Sequence, residues 1–309
     1  MSKLPLVVVA GPTASGKTRL AIELAKLLDG EIISADSMQI YKYLDIGSAK
    51  PSEEERSEAV HHMLDFLEPD DEYSVADYTE KAHTVISDIL RRDKMPIMCG
   101  GTGLYINSVV DDVTFGEFDT DYELRAELEE YGKLNGNEAL IEMLSEFDPV
   151  SAKRLHPNNA RRIIRAIEFY KVTGIPISEH QEMTKQRESR YDPIMFCIDF
   201  DRQKLYERIN MRVDIMIQSG LLEEVKSLID KGFTTALNSM KAIGYKELID
   251  YFDGKITLDE AVEIIKQSSR RYAKRQLTWF KRDDRIIWLD AEGDIVNEAY
   301  KKVKEKYNL

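Results

Sequence analysis

Leu6-Val7-Val8-Val9-Ala10-Gly11-Pro12-Thr13-Ala14-Ser15-Gly16-Lys17-Thr18-Arg19-Leu20-Ala21 decides the fold. Residues 6–10 are a short, continuously apolar, β-branched run, which reads as a strand buried on both faces. Gly11 to Thr18 fits G-x-x-x-x-G-K-[ST], and from Lys17 to Leu28 the residues Leu20, Ala21, Leu24, Leu27 and Leu28 recur at helical spacing. Strand, glycine loop and helix in succession are the setting this motif requires. The glycines let the backbone wrap a phosphate with several N–H groups pointing inward, and the helix adds its positive N-terminal end. Lys17 reaches phosphate oxygens, and the Thr18 hydroxyl is suited to ligate Mg²⁺. The expected ligand is therefore a phosphate or diphosphate, held by Gly11, Thr13, Ala14, Ser15, Gly16, Lys17 and Thr18. The alternative, a plain strand–helix turn, does not account for the full pattern.

Working outward, Glu31-Ile32-Ile33-Ser34 and Pro96-Ile97-Met98-Cys99 read as two more strands, with helical periodicity from Tyr78 to Arg92 between them. This alternation predicts a parallel sheet covered by helices. From about 118 to 190 no strand pattern occurs. Segments 121–131, 137–146, 149–155 and 158–173 read as helices, and Gly174-Ile175-Pro176 stops the last one. Residues 181–193 are polar, end in Pro193 and read as a connecting loop. Ile194 to Ile198 returns to strand. Helices follow at about 202–218, 221–231, 240–251 and 257–280, then a strand at Ile286–Leu289 and a helix at 294–307. The expected fold is α/β: a P-loop NTPase-like parallel sheet core flanked by helices, built from residues 1–117 and 191–309, with an all-α insertion domain at 118–190. Its 309 residues suit such a core with one insertion, because single cores stop growing at roughly 250–300 residues.

About 43% of residues are hydrophobic, enough for a substantial core and too many for a disordered chain. Cys99 and Cys197 each sit in an apolar run and read as buried free thiols, which suits a reducing cytoplasm. No basic-then-apolar leader is seen and no apolar stretch approaches the roughly 18 residues that span a bilayer. The expectation is a soluble cytoplasmic protein without a membrane partner. The five histidines and two cysteines have no zinc spacing, and the adjacent His61 and His62 would point apart.

A net charge of −13 by itself argues against a nucleic-acid partner, but the charge is unevenly spread. Residues 117–146 hold ten acidic and two basic residues. Residues 151–171 hold six basic (Lys153, Arg154, Arg161, Arg162, Arg165, Lys171) and one acidic residue, and 266–285 hold eight basic and two acidic. The basic runs are either solvated helix faces or a local grip on a polyanion. Arg161 and Arg165 share one helix face.

Asp36 follows the second strand, where ligands of open parallel sheets bind. Its position fits a general base or hydrogen-bond acceptor and equally a helix N-cap or a contact to Mg²⁺-bound water. Gly100-Gly101-Thr102-Gly103 ends another strand and faces the same crevice; Thr102 either orients Asp36, binds substrate, or caps a tight turn. Hydrolysing NTPases usually carry an Asp at such a strand end. None is present here, although Asp199 ends a later strand. Trp279 and Phe280 read as core packing in preference to a base-stacking platform.

Seven segments in order, GPTASGKT (11–18), ISADSMQIYKYLDIGSAKP (33–51), GGTGLYI (100–106), HPNNARRIIRAIE (156–168), RVDIMIQSGLLEEV (212–225), IGYKEL (243–248) and RRYAKRQLTWFKR (270–282), resemble the bacterial tRNA dimethylallyltransferase (IPP transferase) family over nearly the whole chain. The resemblance implies transfer of a dimethylallyl group from dimethylallyl diphosphate to N6 of the adenosine 3′-adjacent to the anticodon (position 37) of tRNA. It implies that Thr13, Lys17 and Thr18 bind the diphosphate with Mg²⁺, and that Arg212 joins them. Asp36 would be the base, supported by Thr102. The tRNA anticodon stem-loop would meet Asp36, Ser37, Met38, Gln39, Thr102, Arg125, Arg161, Arg162 and Arg165. The protein would act as a monomer. Three other readings compete: a small-molecule kinase using ATP at the same loop, prenylation of free AMP, and a non-catalytic, nucleotide-dependent RNA-binding switch.

Overall fold

The computed structural model describes residues 3–113, 121–185 and 188–309. The chain divides into two compact units, Met1–Val110 with Ser189–Leu309, and Asp111–Glu188. The expected boundary at 117/118 lies outside the described residues.

The first unit is built on six parallel strands, β1 Leu4–Ala10, β2 Gly30–Ser34, β3 His61–His62, β4 Met95–Gly100, β5 Tyr191–Asp199 and β6 Ile286–Asp290, in the order β3-β2-β4-β1-β5-β6. Before β5 its helices are α1 Lys17–Leu27, α2 Glu53–Glu58, α3 Val75–Arg91 and α4 Gly103–Val110. The second unit holds α5 Tyr122–Asn135, α6 Asn137–Ser145, α7 Pro149–Arg154, α8 Ala160–Thr173 and α9 Ile177–Lys185. The first unit resumes after β5 with α10 Arg202–Gln218, α11 Leu221–Asp230, a 3₁₀ turn at Ser239–Lys241, α12 Tyr245–Phe252, α13 Leu258–Phe280 and, after β6, α14 Ile295–Tyr307.

β1 shows why its sequence is uniformly apolar. Leu6, Val8 and Ala10 pack with Tyr78, Ala82, Ile86, Ile106 and Val109 of α3 and α4, while Val7 and Val9 pack with Leu20, Leu24, Ala299 and Val303 of α1 and α14. All five of these strand residues are fully buried. Each large side chain so buried contributes about 1.5–3 kcal/mol, which fixes the strand at the centre of the sheet. A third cluster joins α10, α11, α12 and α13 to Ile40, Tyr41 and Leu44 and forms a helical wall beyond the carboxyl ends of the strands.

Three local expectations are corrected. The sheet has a sixth strand, β3, whose two histidines pair with Ile32 and Ile33; two residues are too short to show a period. The loop expected at 181–193 begins later, because α9 runs to Lys185. That helix is polar on most of its surface, so its periodicity is weak. β5 starts at Tyr191 and contains Pro193. Pairing with β6 begins only at Met195, so Pro193 has a strand neighbour on one side only, where proline is tolerated.

The second unit packs Leu128, Leu140, Leu144, Ile163 and Ile167 into its own core. Asp148 caps α7 through the Ser151 N–H at 2.9 Å and also accepts from the Ser178 hydroxyl at 2.7 Å, tying α7 to α9.

Candidate active site

The glycine loop leaves β1 at the switch point, with β4 on one side and β5 on the other. Ala14 and Gly16 are left-handed (φ 62° and 84°), and Gly16 is the N-cap of α1. Left-handed residues alternating with right-handed ones turn successive N–H groups into one concavity. The Ser15 hydroxyl is buried and has no hydrogen-bond partner among the described residues. Lys17 Nζ donates to the Pro12 carbonyl at 3.3 Å. Burial lowers the Lys17 pKa, opposed by the charge of Asp36. Burial likewise pushes the thiols of Cys99 and Cys197 up to about 12, so neither is a thiolate at neutral pH. Both are free, as expected.

The loop opens into a cavity of about 720 Å³. Thr13, Ala14, Gly16, Lys17 and Thr18 of the loop, Asp36 to Gln39, and Arg208 and Arg212 of α10 all line it. Burial lowers the Arg212 pKa while Asp36 and Glu55 raise it. Ile209, Val213, Met216, Leu221 and Ile265 supply an apolar wall. The cavity thus combines an anion cradle, a carboxylate and an apolar surface. Asp199, the other strand-end carboxylate, is exposed and does not line it.

Asp36 serves as a cap and remains available. Its Oδ1 accepts from the Met38 N–H at 2.9 Å, while its second oxygen takes no hydrogen bond from the described residues. Thr102 supports the same turn without touching the carboxylate: its Oγ1 accepts from the Ser37 N–H at 3.0 Å. Gln39 is committed inside the chain, accepting from the Ser34 hydroxyl at 3.0 Å and donating to the Ala49 carbonyl at 3.1 Å. Below it, the Glu224 carboxylate accepts the N–H groups of Asp45, Ile46 and Gly47 at 3.0, 2.8 and 3.2 Å and the Tyr245 hydroxyl at 2.6 Å. One carboxylate from α11 therefore anchors the loop on which the Asp36–Gln39 turn rests.

Several site residues went unassigned in the sequence. Arg208 Nε donates to the Ala14 carbonyl at 2.9 Å, pinning the glycine loop. Tyr272, half-buried near Asp36, has its hydroxyl pKa pushed up to about 12, chiefly by desolvation, with Thr102 and Gln276 hydrogen bonding against the shift. Gln276 is nearly buried. Its signal was present: it shares a helix face with Ala273 and Phe280, which are buried, and a polar residue on such a face needs a partner. Arg208 carries no such signal: it is exposed and lies one turn before Arg212, the residue the family resemblance implies.

In the second unit, Arg125 and Arg165 meet at Glu168, which is fully buried. Its Oε2 accepts from Arg125 Nε at 2.9 Å and Arg165 Nη1 at 3.1 Å, and its Oε1 accepts from the Asp121 N–H at 3.1 Å. Arg161 and Arg162 are exposed one turn earlier on α8. The expectation for Trp279 is corrected. Phe280 is core, but Trp279 is 38% exposed, with its indole N–H donating to Asn107 Oδ1 at 3.1 Å. Its position on α13 falls just off the buried face, a distinction that aromatic content alone does not make.

The sheet order, the glycine cradle at its switch point and the cationic cavity beyond it define a P-loop-type α/β protein. Over residues 39–283 the chain matches the model of the IPP transferase family, and it belongs to that family. It is 50% identical over 287 residues to a tRNA dimethylallyltransferase of Acetivibrio thermocellus, covering 93% of this chain and 92% of that protein. A tRNA dimethylallyltransferase of Caldanaerobacter subterraneus subsp. tengcongensis is 50% identical over 304 residues, covering 98% and 96%. The structure of the full-length tRNA isopentenylpyrophosphate transferase from Bacillus halodurans superposes with a TM-score of 0.73 at 41% identity, covering 99% and 96%. A eukaryotic dimethylallyltransferase captured acting on tRNA superposes with a TM-score of 0.85 at 28% identity, covering 99% of this chain and 80% of that one.

Proposed function

We propose that this protein is a transferase that prenylates tRNA, moving a dimethylallyl group from dimethylallyl diphosphate to N6 of the adenosine 3′-adjacent to the anticodon. The products are N6-(dimethylallyl)adenosine and diphosphate. The observation that carries the reading is the single cavity in which the anion cradle, Asp36 and an apolar wall converge. The relatives' names supply the reaction class.

The chemistry follows from the residues. The bond between the allylic carbon and the diphosphate oxygen breaks, and a bond from that carbon to N6 forms. An allylic carbon tolerates the developing positive charge; the diphosphate charge is the costly part. The loop N–H groups, Lys17 and Arg212 are preorganised to receive it. Ser15 does not line the cavity, and its buried hydroxyl has no partner among the described residues, so it stands outside this set. The adenine amine is a poor nucleophile because its lone pair conjugates into the ring. The open oxygen of Asp36 accepts its proton. The wall of Ile209, Val213 and Leu221 receives the dimethylallyl group and excludes water. The base is splayed from the anticodon loop, which costs less than from a duplex.

The site suits Mg²⁺. Thr18 contributes a hydroxyl, and no group of three His, Cys, Asp or Glu that could hold a metal occurs among the described residues. A Mg²⁺ that keeps its waters and binds mainly through substrate phosphates fits this donor set. When bound, it supplies charge neutralisation of the diphosphate. Among the described residues no helix is long and apolar enough to cross a membrane. A monomer working in the cytoplasm, where tRNA is and thiols stay reduced, completes the proposal.

Incubation with labelled dimethylallyl diphosphate, Mg²⁺ and unmodified tRNA, followed by nucleoside analysis, tests it. Label on N6 of one adenosine is the expected result. Label on added AMP alone, or ATP consumption without transfer, overturns it in favour of a small-molecule acceptor or a kinase.

Two further outcomes are expected. Arg161→Ala combined with Arg165→Ala should weaken tRNA binding and lower the slope of log Kd against log salt by about one to two, as two phosphate contacts are lost. Filter binding across a salt series checks this. Diphosphate binding should take up protons. Burial depresses the Lys17 pKa in the free protein and an adjacent dianion raises it again, so affinity should fall as pH rises through the free-protein pKa. Calorimetry in buffers of different ionisation enthalpy measures the uptake.

A further inference from the structure

Gln276 is 5% exposed, and both ends of its amide are engaged. Oε1 accepts from the Thr13 N–H at 3.1 Å, and Nε2 donates to the Gly101 carbonyl at 2.9 Å. Thr13 belongs to the glycine loop after β1. Gly101 follows β4 and precedes Thr102, whose hydroxyl accepts from the Ser37 N–H at 3.0 Å, next to Asp36. The Thr102 N–H in turn donates to the Ala35 carbonyl at 3.1 Å. One side chain from α13 thus joins three loops, with the anion cradle at one end and the carboxylate turn at the other. The fit is close: a methyl on Gly101 would lie 2.2 Å from Gln276 Nε2, so only glycine lets the amide reach the carbonyl. The bond to Gln276 also withdraws the Thr13 N–H from any ligand, so the amide competes with the cradle's own purpose.

An amide on the buried face of a helix is poorly placed for packing alone, because an aliphatic residue would fill the space without desolvating polar atoms. We infer that Gln276 is a positioning residue, fixing the separation between the loop that holds the leaving diphosphate and the turn that carries Asp36. It acts through Thr13 and Gly101, to which the two ends of its amide are committed. The inference rests on the prenyl-transfer reading above. Misplacement of reacting groups by about 1 Å can cost about 10²-fold in rate, so a strut of this kind is worth more to turnover than to binding.

The test uses the full chain with Gln276→Met, which keeps the length and removes both hydrogen bonds, and Gln276→Glu. The latter retains the acceptor for Thr13 and, when ionised, cannot donate to Gly101. Single-turnover transfer to tRNA, affinity for inorganic diphosphate with Mg²⁺, affinity for tRNA, and the melting temperature are measured. For Gln276→Met the rate should fall about 30–100-fold, with both affinities within about threefold. Combination with Thr102→Val should cost less than the product of the two single losses, because both act on one chain of contacts. A loss equal to the unfolded fraction, a loss confined to affinity, or losses that multiply in the double variant would each overturn the inference. Should Gln276→Met not fold, Gln276→Glu carries the same test. A wild-type protein that transfers nothing overturns the prenyl-transfer reading itself. A wild type that transfers, beside a Gln276→Met variant of equal rate, overturns only the strut.

Discussion

Asp36→Ala should leave tRNA affinity within about threefold and reduce single-turnover prenyl transfer by about 10²–10⁴-fold, the range for a positioned general base. The carboxylate has two duties in this structure. Oδ1 receives the Met38 N–H and shapes the turn, and the residue lines the cavity with its other oxygen taking no hydrogen bond from the described residues. Alanine removes both, so a large loss alone does not separate base from cap. Asp36→Asn does, because an amide oxygen can keep the Met38 bond yet cannot accept the amine proton. Equal losses in the two variants identify the base. An asparagine variant with near wild-type rate would reduce Asp36 to a cap and send the search for the proton acceptor elsewhere in the cavity.

The second large effect is expected at Lys17. Lys17→Met should lower kcat/KM for the allylic diphosphate by about 10²–10³-fold, the cost of losing one preorganised donor to a developing anion. Methionine keeps most of the side chain's bulk, so the melting temperature should hold or rise: burial already depresses the pKa of this lysine, which means its charge destabilises the free protein. Below the depressed pKa that penalty is present, and it fades as pH rises and the lysine is neutral in the folded state. The stabilisation by methionine should therefore be greater at pH 7 than at high pH. A fall in both melting temperature and activity would instead mark Lys17 as a structural post. Thermal melts at two pH values beside steady-state kinetics distinguish the cases.

The fold was legible because its signals are local. The run at 6–10, the glycine loop and the amphipathic helix after it follow one another within twenty-two residues, and the parallel sheet follows from the alternation of strand and helix. The polar helix Ile177–Lys185 was not legible, since a helix that buries little has little periodicity to display. The candidate site divides on the same line. Lys17 is legible because it closes the glycine-loop motif, and Asp36 because it lies just beyond a strand end, where open sheets bind ligands. Arg208, Tyr272 and Gln276 reach the cavity from helices roughly 200–260 residues later in the chain, and only folding shows which turn of a helix faces it. The Glu224 contact to residues 45–47 is of the same kind: a surface-type residue on an amphipathic helix whose partner is a loop 177–179 positions away. Arg125 and Arg165 could be picked out as charges, but their shared buried carboxylate, Glu168, reads in sequence as the single acid in a basic run.

The strand order has a consequence for biosynthesis. β1 is made first, yet one of its two neighbours, β5, is encoded at 191–199, after the whole of the 111–188 unit. A nascent chain that has emerged as far as residue 188 can complete a helical unit of short-range contacts, but it carries a sheet whose central strand has one bare side. Exposed strand edges template association with other chains, and pairings this distant in sequence form slowly. Ribosomal pauses between the end of that unit and Asp199 would prolong the exposure, and truncations in this window should aggregate where the full chain does not.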